Sequence, residues 1–443
     1  MAFGRVGALG AGFSRLGAGG RVSGPAGGAA LLLGEASGFA ADFTYAADAQ
    51  RVAVKTAGTV VSSGTSFFTN AGTSTKWVYN VAGTLVNVAA GSLAVDYDPV
   101  THAARGLLCE PAATNGQTRS SDFTTSWTTN DCTVSANIVT APNGLSEADA
   151  LIPLSGARRP FVTWTSTTTA ATVTTYSLFA RNGTLGTNWI EVQIGGAPTV
   201  TAWFNLATGV KGTATGSPIS YTMTAVGNGW YRLAVTFTAG AGSATTYLCA
   251  DDADGSTSGT TTGDGVKSGF YLWGTQMEAG TVATSPIPTV AATVTRAADN
   301  IRITPASINY SATAGSWWAD VSLNAFIADA RIIGYTSVYM PMGTPTTTSF
   351  TLNDLAGSAG KTVTSVLGVH KVAMAFQSAD RAITADGLAA ATSATAGIAL
   401  GTPGANIGIG YSPGSGAEIN GYIRKVRYLP RRMSNAELVT ATT

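Results

Sequence analysis

Short runs in which apolar and polar residues alternate, each closed by a turn, limit what this chain can fold into more than any other feature of the sequence. Between residues 117 and 296 such runs recur about every ten residues. Ile190, Val192 and Ile194 fall on one side of a pleat, with Trp189, Glu191 and Gln193 on the other. Val200, Ala202, Phe204 and Leu206 likewise oppose Thr201, Trp203 and Asn205, and Tyr231, Leu233, Val235 and Phe237 form a third row. A period of two is the signature of a strand with one buried face. Asn143-Gly144, Asn182-Gly183 and Asn228-Gly229 accept positive φ at low cost and suit the turns between such strands. The pattern predicts an antiparallel jelly-roll sandwich over residues 116–298.

After Pro286 and Pro288, which cannot continue a central strand, the alternation resumes. Ala319, Val321 and Leu323 form one row and Val372, Met374 and Phe376 another. Tyr422, Arg424, Val426 and Tyr428 mark a terminal strand stopped by Pro430. Ser434 and Glu437 then match a capping box for one short helix. These features predict a second β-sandwich over 299–443. Upstream, residues 39–115 carry short β pieces at 52–54, 76–81 and 92–97 between Gly-containing turns, which reads as a connector of hairpins without a deep core. Residues 1–38 form a Gly-rich arm in which Phe3-Gly4-Arg5-Val6-Gly7-Ala8 returns ten residues later as Phe13-Ser14-Arg15-Leu16-Gly17-Ala18. Ordering so many glycines costs backbone entropy, so the arm is either a free tail or a peptide held by docking into a larger assembly. The expected fold class is therefore all-β: a jelly roll followed by a second sandwich, behind an N-terminal arm.

Composition narrows the function. Charged residues are 11% of the 443, against roughly 25% in ordinary soluble domains. With 25 basic and 24 acidic residues the net charge is +1, which offers no chain-wide field for nucleic acid or an anionic membrane. No apolar run approaches the length of about 18 residues that a membrane helix needs, and the chain is expected to be soluble. Arg5, Arg15 and Arg21 ahead of Ala29-Ala30-Leu31-Leu32-Leu33 imitate a secretion signal, but the apolar core is short and Glu35 interrupts it. Cys109, Cys132 and Cys249 leave one over and lack metal-ligand spacing, so all three are expected to be reduced and buried.

Residues suited to catalysis are sparse. His102 lies in a turn-like segment and His370 opens a strand, and both are read as structural. Paired acids of a glycosidase would have to come from Asp251, Asp252, Asp254 and Asp264. The 251–256 loop also leaves room for a calcium ion held with carbonyl ligands at a sandwich edge, although Gly255 comes too early for an EF-hand, and a solvated turn is the default. No catalytic residue, metal ligand or cofactor is assigned. The basic cluster Arg424, Lys425, Arg427, Arg431 and Arg432 is read as a solvated edge strand or a subunit contact, because its members alternate between faces. Trp189 and Trp203 sit opposite their strands' apolar rows, as indoles that stack on sugar rings do. They share a face only if an odd number of residues separates the strands, and cover by a neighbouring subunit or domain explains them equally well.

An ordered series of motifs resembles a group of tailed-phage virion proteins, the tail fibre and head spike or fibre proteins. It begins with Asp96-Tyr97-Asp98-Pro99, Arg105-Gly106-Leu107-Leu108-Cys109-Glu110-Pro111 and Thr114-Asn115. Asp122-Phe123, Ser126-Trp127 and Ala141-Pro142-Asn143-Gly144 follow, then Gly227-Asn228-Gly229-Trp230-Tyr231-Arg232. The series closes with Tyr271-Leu272-Trp273-Gly274-Thr275-Gln276-Met277-Glu278 and Thr295-Arg296-Ala297-Ala298-Asp299. Residues 421–428 are similar to the closing strand of concanavalin-like (LamG-like) modules often appended to such proteins. The stretch around Arg51 departs from the group in lacking its upstream Thr-Arg-Ala-Ser motif. The resemblance implies a non-enzymatic, usually trimeric appendage on the phage particle surface, with its sandwiches on host surface polysaccharide and its arm on other virion proteins. Under that reading Trp189 and Trp203 are the glycan-binding residues, and Phe3, Arg5, Phe13 and Arg15 anchor the arm. A decoration protein that binds no sugar is the alternative, and a polysaccharide depolymerase a third.

Overall fold

A computed structural model describes residues 26–196, 199–240, 242–256, 260–335, 342–354, 357–394, 403–413 and 417–443. The repeat with Phe3, Arg5, Phe13 and Arg15 lies outside the described residues, as do Ala197 and Pro198. Regular structure in the described chain is nearly all antiparallel strand, and its one α-helix is Asn435–Thr442, closed at its start by the Ser434/Glu437 capping box. No described helix is long and apolar enough to cross a membrane.

The middle of the chain forms two six-stranded sheets. In the first, Phe161–Thr168, Gly242–Asp251, Trp189–Gly195 and Val200–Asn205 lie side by side in that order. In the second the order is Ser146–Pro153, Phe270–Ala279, Val173–Asn182 and Trp230–Thr238, with Ser220–Ala225 at the edge. Few neighbours in space are neighbours in sequence; the chain crosses between the sheets as a jelly roll does. The alternating rows meet in the middle: Ile190, Val192, Ile194, Val200, Ala202 and Phe204 pack with Leu233, Val235 and Phe237, and all are essentially inaccessible to water.

The second sandwich pairs a ten-stranded with a seven-stranded sheet. Its composition corrects the expected domain layout. Residues 39–115 are largely not a connector: Gly38–Asp42 pairs with Asn420–Leu429, Phe39 opposite Tyr428, and Val52–Thr56 and Thr59–Ser63 extend the same sheet. Ala104–Cys109 pairs with the other end of Asn420–Leu429, and Thr69–Asn70 joins the facing sheet. Phe39, Phe43, Val52, Phe68 and Leu107 accordingly share one core with Trp317, Val426 and Tyr428. The jelly roll is thus inserted into a sandwich whose strands come from both ends of the chain. The Asn420–Leu429 strand is central, not an edge, because a strand from the N-terminal end covers it.

Only the hairpin Lys76–Tyr79 and Leu85–Val88 behaves as a connector. Its pleat sends Tyr79 and Leu85 against Phe179, Trp230 and Trp273 of the jelly roll, and Val78 against Ala94 and Leu108 on the sandwich side. Alternation, which elsewhere separates core from solvent, here separates two partners.

Candidate functional site

The chain enters the jelly roll through Ala113–Asn115 and leaves through Val294–Arg296, and these strands pair, Arg296 opposite Ala113. Around this neck lies a buried polar network. Glu110 accepts from Arg296 Nη1 at 2.8 Å and from the Ser285 amide and hydroxyl, each at 2.7 Å, with Lys76 Nζ 3.6 Å away. Burial alone would raise the Glu110 carboxyl; Arg296, Lys76 and the Ser285 bonds outweigh it and hold it below the usual carboxylate range. Lys76 also pairs with Asp299, which accepts from the Glu110 amide at 2.8 Å. Asn115 donates to the carbonyls of Thr275 and Ile287 and accepts from the amides of Gln117 and Met277. Every polar atom of that side chain is used, as a buried amide requires.

A bulge supplies the rest. Phe270 and Leu272 point into the jelly-roll core, so an unbroken strand would send Gln276 and Glu278 there too. The pairing slips between Ser177 and Phe179, and Gly274 takes up a φ of +62°. One extra residue inverts the pleat: Met277 now packs in the core, while Gln276 and Glu278 face the neck. There Glu278 accepts from the Thr284 amide (2.8 Å) and hydroxyl (2.7 Å), and Gln276 accepts from the Ile287 amide at 2.8 Å. Burial raises the Glu278 carboxyl, and these bonds offset it in part.

Beside the neck, between jelly roll and sandwich, opens a cleft of about 500 Å³. The jelly roll contributes Ser220, Thr222 and Thr224 from one strand and Arg232 and Thr236 from the next. Tyr79 comes from the connecting hairpin, and Arg105, Tyr422 and Arg424 from the sandwich. A smaller recess of about 90 Å³ shares Tyr79, Arg105, Arg232 and Tyr422 and reaches Glu110. Arg105 faces Asp96 at 3.5 Å and Asp98 at 3.0 Å, Arg424 faces Asp320 at 3.2 Å, and Tyr422 donates to Asp96 at 2.8 Å. Arg424 is the residue that bulges between partners Ile423 and Lys425, and the bulge turns it toward the cleft.

Arg232 differs from the other two arginines. Its Nη2 donates to the Thr284 carbonyl at 2.7 Å and Ser177 Oγ at 3.2 Å, and its guanidinium lies 5.3 Å from the Phe179 ring centre. Among the described residues no carboxylate lies within ion-pair distance of it, and its buried Nε has no partner. The hydroxyl of Tyr79, also buried, is unpartnered as well. Burial lowers the Arg232 guanidinium and raises the Tyr79 phenol, so the cleft offers a desolvated cation and a neutral hydroxyl.

Trp189 and Trp203, the indoles that face away from their strands' apolar rows, lie elsewhere, in the other jelly-roll sheet. Ile194 pairs with Val200, leaving residues 195–199, an odd number, between the strands, and Trp189 and Trp203 do share a face. They do not form an open platform: Trp203 is 4% exposed and donates its indole N–H to Asp251 Oδ2 at 3.2 Å, while Trp189 is half-buried. Cover comes from the chain itself. Beside Trp203, Glu191 pairs with Arg159 at 3.3 Å, and burial raises both Glu191 and Asp251.

The other loop acids are spread over separate partners. Asp252 accepts from Thr261, Asp254 from the Thr213 amide and hydroxyl, and Asp264 from the amides of Val266 and Lys267. No described group of three or more His, Cys, Asp or Glu is placed to hold a metal ion. His370 is hydrogen-bonded to Asp386 at 2.7 Å, and His102 sits in a turn at φ +62°. All three cysteines are free and buried, which pushes their thiols up, Cys132 to about 12. The basic cluster is internally paired: Lys425 with Asp42, Arg431 with Glu35 and Glu437, Arg432 with Asp380, and Arg427 with the Leu31 carbonyl.

The cleft residues Tyr79, Arg105, Arg232 and Tyr422 were not singled out from sequence. A signal existed for Arg232: it falls between Tyr231 and Leu233 of an inward row, a lone cation on the outer face of a strand.

No protein-family model matches the chain, and no curated protein matches its sequence. Among solved structures it is similar to domains LG4-5 of the mouse laminin alpha1 chain, with 12% identity and a TM-score of 0.23 over 68% of this chain and 94% of that one. A likeness at that level carries no weight here, and the fold is established by the sheets themselves.

Proposed function

We propose that this chain is a non-enzymatic appendage of a phage particle, a tail fibre or head spike, that holds two sandwiches as one unit and contacts host surface glycans with them. One observation carries the reading: of the motifs that resemble such proteins, those in 96–115, 227–232 and 271–299 contribute residues to the neck and the cleft. Glu110, Asn115, Gln276, Glu278, Arg296 and Asp299 build the buried junction, while Arg105 and Arg232 line the cleft beside it. On this reading the motif series serves as a joint between modules. Many copies on one particle multiply weak sugar contacts. Threefold assembly, attachment through the arm at Phe3, Arg5, Phe13 and Arg15, and Trp189 as a contact belong to the same proposal. Purified chain added in excess is expected to block particle adsorption to host cells; undiminished adsorption overturns it.

The burial of Trp203 favours a second reading, a decoration protein that packs on the particle and binds no sugar. Variants of Trp189 that lose assembly and keep adsorption support it.

A further inference from the structure

We propose that the cleft between jelly roll and sandwich is a binding site for a saccharide bearing a single carboxylate, with Arg232 as the group that recognises the acid. This deepens the glycan-binding reading and rests on it.

Arg232 has an incomplete set of partners. A desolvated guanidinium costs free energy unless its charge and its N–H groups are satisfied. Arg105 and Arg424 have carboxylates within ion-pair distance, but Arg232 has only neutral partners on Nη2 and an aromatic ring; its buried Nε is unbonded, as is that of Arg424. Those bonds orient the guanidinium, so it needs no reorganisation to accept a ligand. Both Nη2 N–H groups are used by Thr284 and Ser177 and Nε is enclosed, so Nη1, which is neither bonded nor enclosed among the described residues, is the donor left to a carboxylate oxygen in the cleft. Charge argues for a monoanion over a dianion: Glu278 and Asp96 lie buried close by, and the other two cleft cations are already neutralised.

The rest of the cleft suits the body of a sugar. Ser220, Thr222 and Thr224 alternate along the Ser220–Ala225 strand, all exposed on the face toward the cleft, while Tyr221 and Met223 pack inward. The opposite wall holds the unpartnered, buried Tyr79 hydroxyl and the Tyr422 ring. Hydroxyl donors and acceptors flanking one cation, in a volume of about 500 Å³, fit a mono- or disaccharide with an acid group.

The test is an isothermal titration calorimetry series of the full chain with D-galacturonic acid, D-galactose and inorganic phosphate. The acid sugar is expected to bind at least tenfold more tightly than either of the others, a difference of about 1.4 kcal/mol. Arg232→Gln should remove that advantage and leave the weak galactose binding unchanged. Thr222→Val, on an exposed face, should weaken both sugars with no change in melting temperature, and it decides the case with the wild-type comparison if Arg232→Gln fails to fold. Equal affinity for galactose and galacturonate, phosphate binding as tight as the acid sugar, or a folded Arg232→Gln that binds as the wild type does overturns the proposal. If a neutral glycan is bound and lost with Trp189→Ala but kept with Arg232→Gln, the adhesin reading stands and this inference falls. If galacturonate binds as expected but the chain fails to block adsorption, the inference stands and the adhesin reading falls.

Discussion

Arg296 Nη1 stands 2.8 Å from a Glu110 carboxylate oxygen across 186 residues of sequence, and both side chains are 3% exposed. The pair spans the two chain crossings at the neck. Breaking a buried pair by removing one member leaves the other charge uncompensated, at a cost of about 3–5 kcal/mol. Arg296→Met is therefore expected to destabilise the chain by that amount in urea denaturation. Because Ser285 and Lys76 remain around Glu110 in that variant, while Glu110→Gln takes the charged acceptor from Arg296, Lys76 and Ser285 together, Glu110→Gln should cost at least as much as Arg296→Met. An Arg296→Met variant as stable as the wild type would show that the neck does not couple the modules.

Gly274 is needed for its conformation and for its lack of a side chain. At φ +62° an L-residue pays about 1–2 kcal/mol, and a Cβ there would meet the Phe179 ring at 3.0 Å. Gly274→Ala is expected to lose at least that much stability. The larger consequence is register: if the strand relieves the strain by losing its bulge, Gln276 and Glu278 turn toward the core. Hydrogen exchange at the Thr284 and Ile287 amides, bonded to Glu278 and Gln276, reports this directly, and faster exchange at both is expected.

Much of the fold was legible because half-buried strands write their faces into sequence. The rows at Ile190, Val200, Leu233, Val321 and Met374 lie in the cores as the alternation requires. Pairing between distant strands leaves no such trace. Nothing near Phe39 or Tyr428 states that they lie opposite each other, so a sandwich split by an insertion reads as a connector plus a shorter sandwich. The same blindness turned the central Asn420–Leu429 strand into an edge. Alternation gives the face of Trp203 but not what covers it, and the neck is invisible locally because Lys76, Glu110, Arg296 and Asp299 meet only in the folded chain.

Trp203 and Trp189 should respond differently to mutation although they share a sheet face. Trp203→Phe keeps most of the packing but removes the N–H donated to buried Asp251, leaving an acceptor short of a partner. A loss of about 1–3 kcal/mol is expected. Trp189→Phe removes no comparable bond from a half-buried ring and is expected to fall within about 0.5 kcal/mol of the wild type. Thermal unfolding of the two variants side by side checks this, and equal losses would place Trp189 in a structural role too.

Glu191 gives the pH dependence a sign. Burial raises its carboxyl above the ordinary value despite the opposing charge of Arg159, and Asp251 raises it further. The folded state therefore holds this proton at a pH where the unfolded chain, with Glu near 4.3, has released it. Over that window stability falls as pH rises, since the folded form binds more protons. Glu191→Gln removes this slope. Its stability relative to the wild type is expected to improve from pH 4.5 to pH 7, whatever constant offset comes from the lost Arg159 pair. Glu110 works in the opposite sense: with its carboxyl held low, its contribution is present above the unfolded value and lost as pH falls through the folded one. Urea denaturation at pH 7, 4.5 and 3 distinguishes them, because replacing Glu191 with Gln should cost less at pH 7 than at pH 4.5, and replacing Glu110 should cost more at pH 7 than at pH 3.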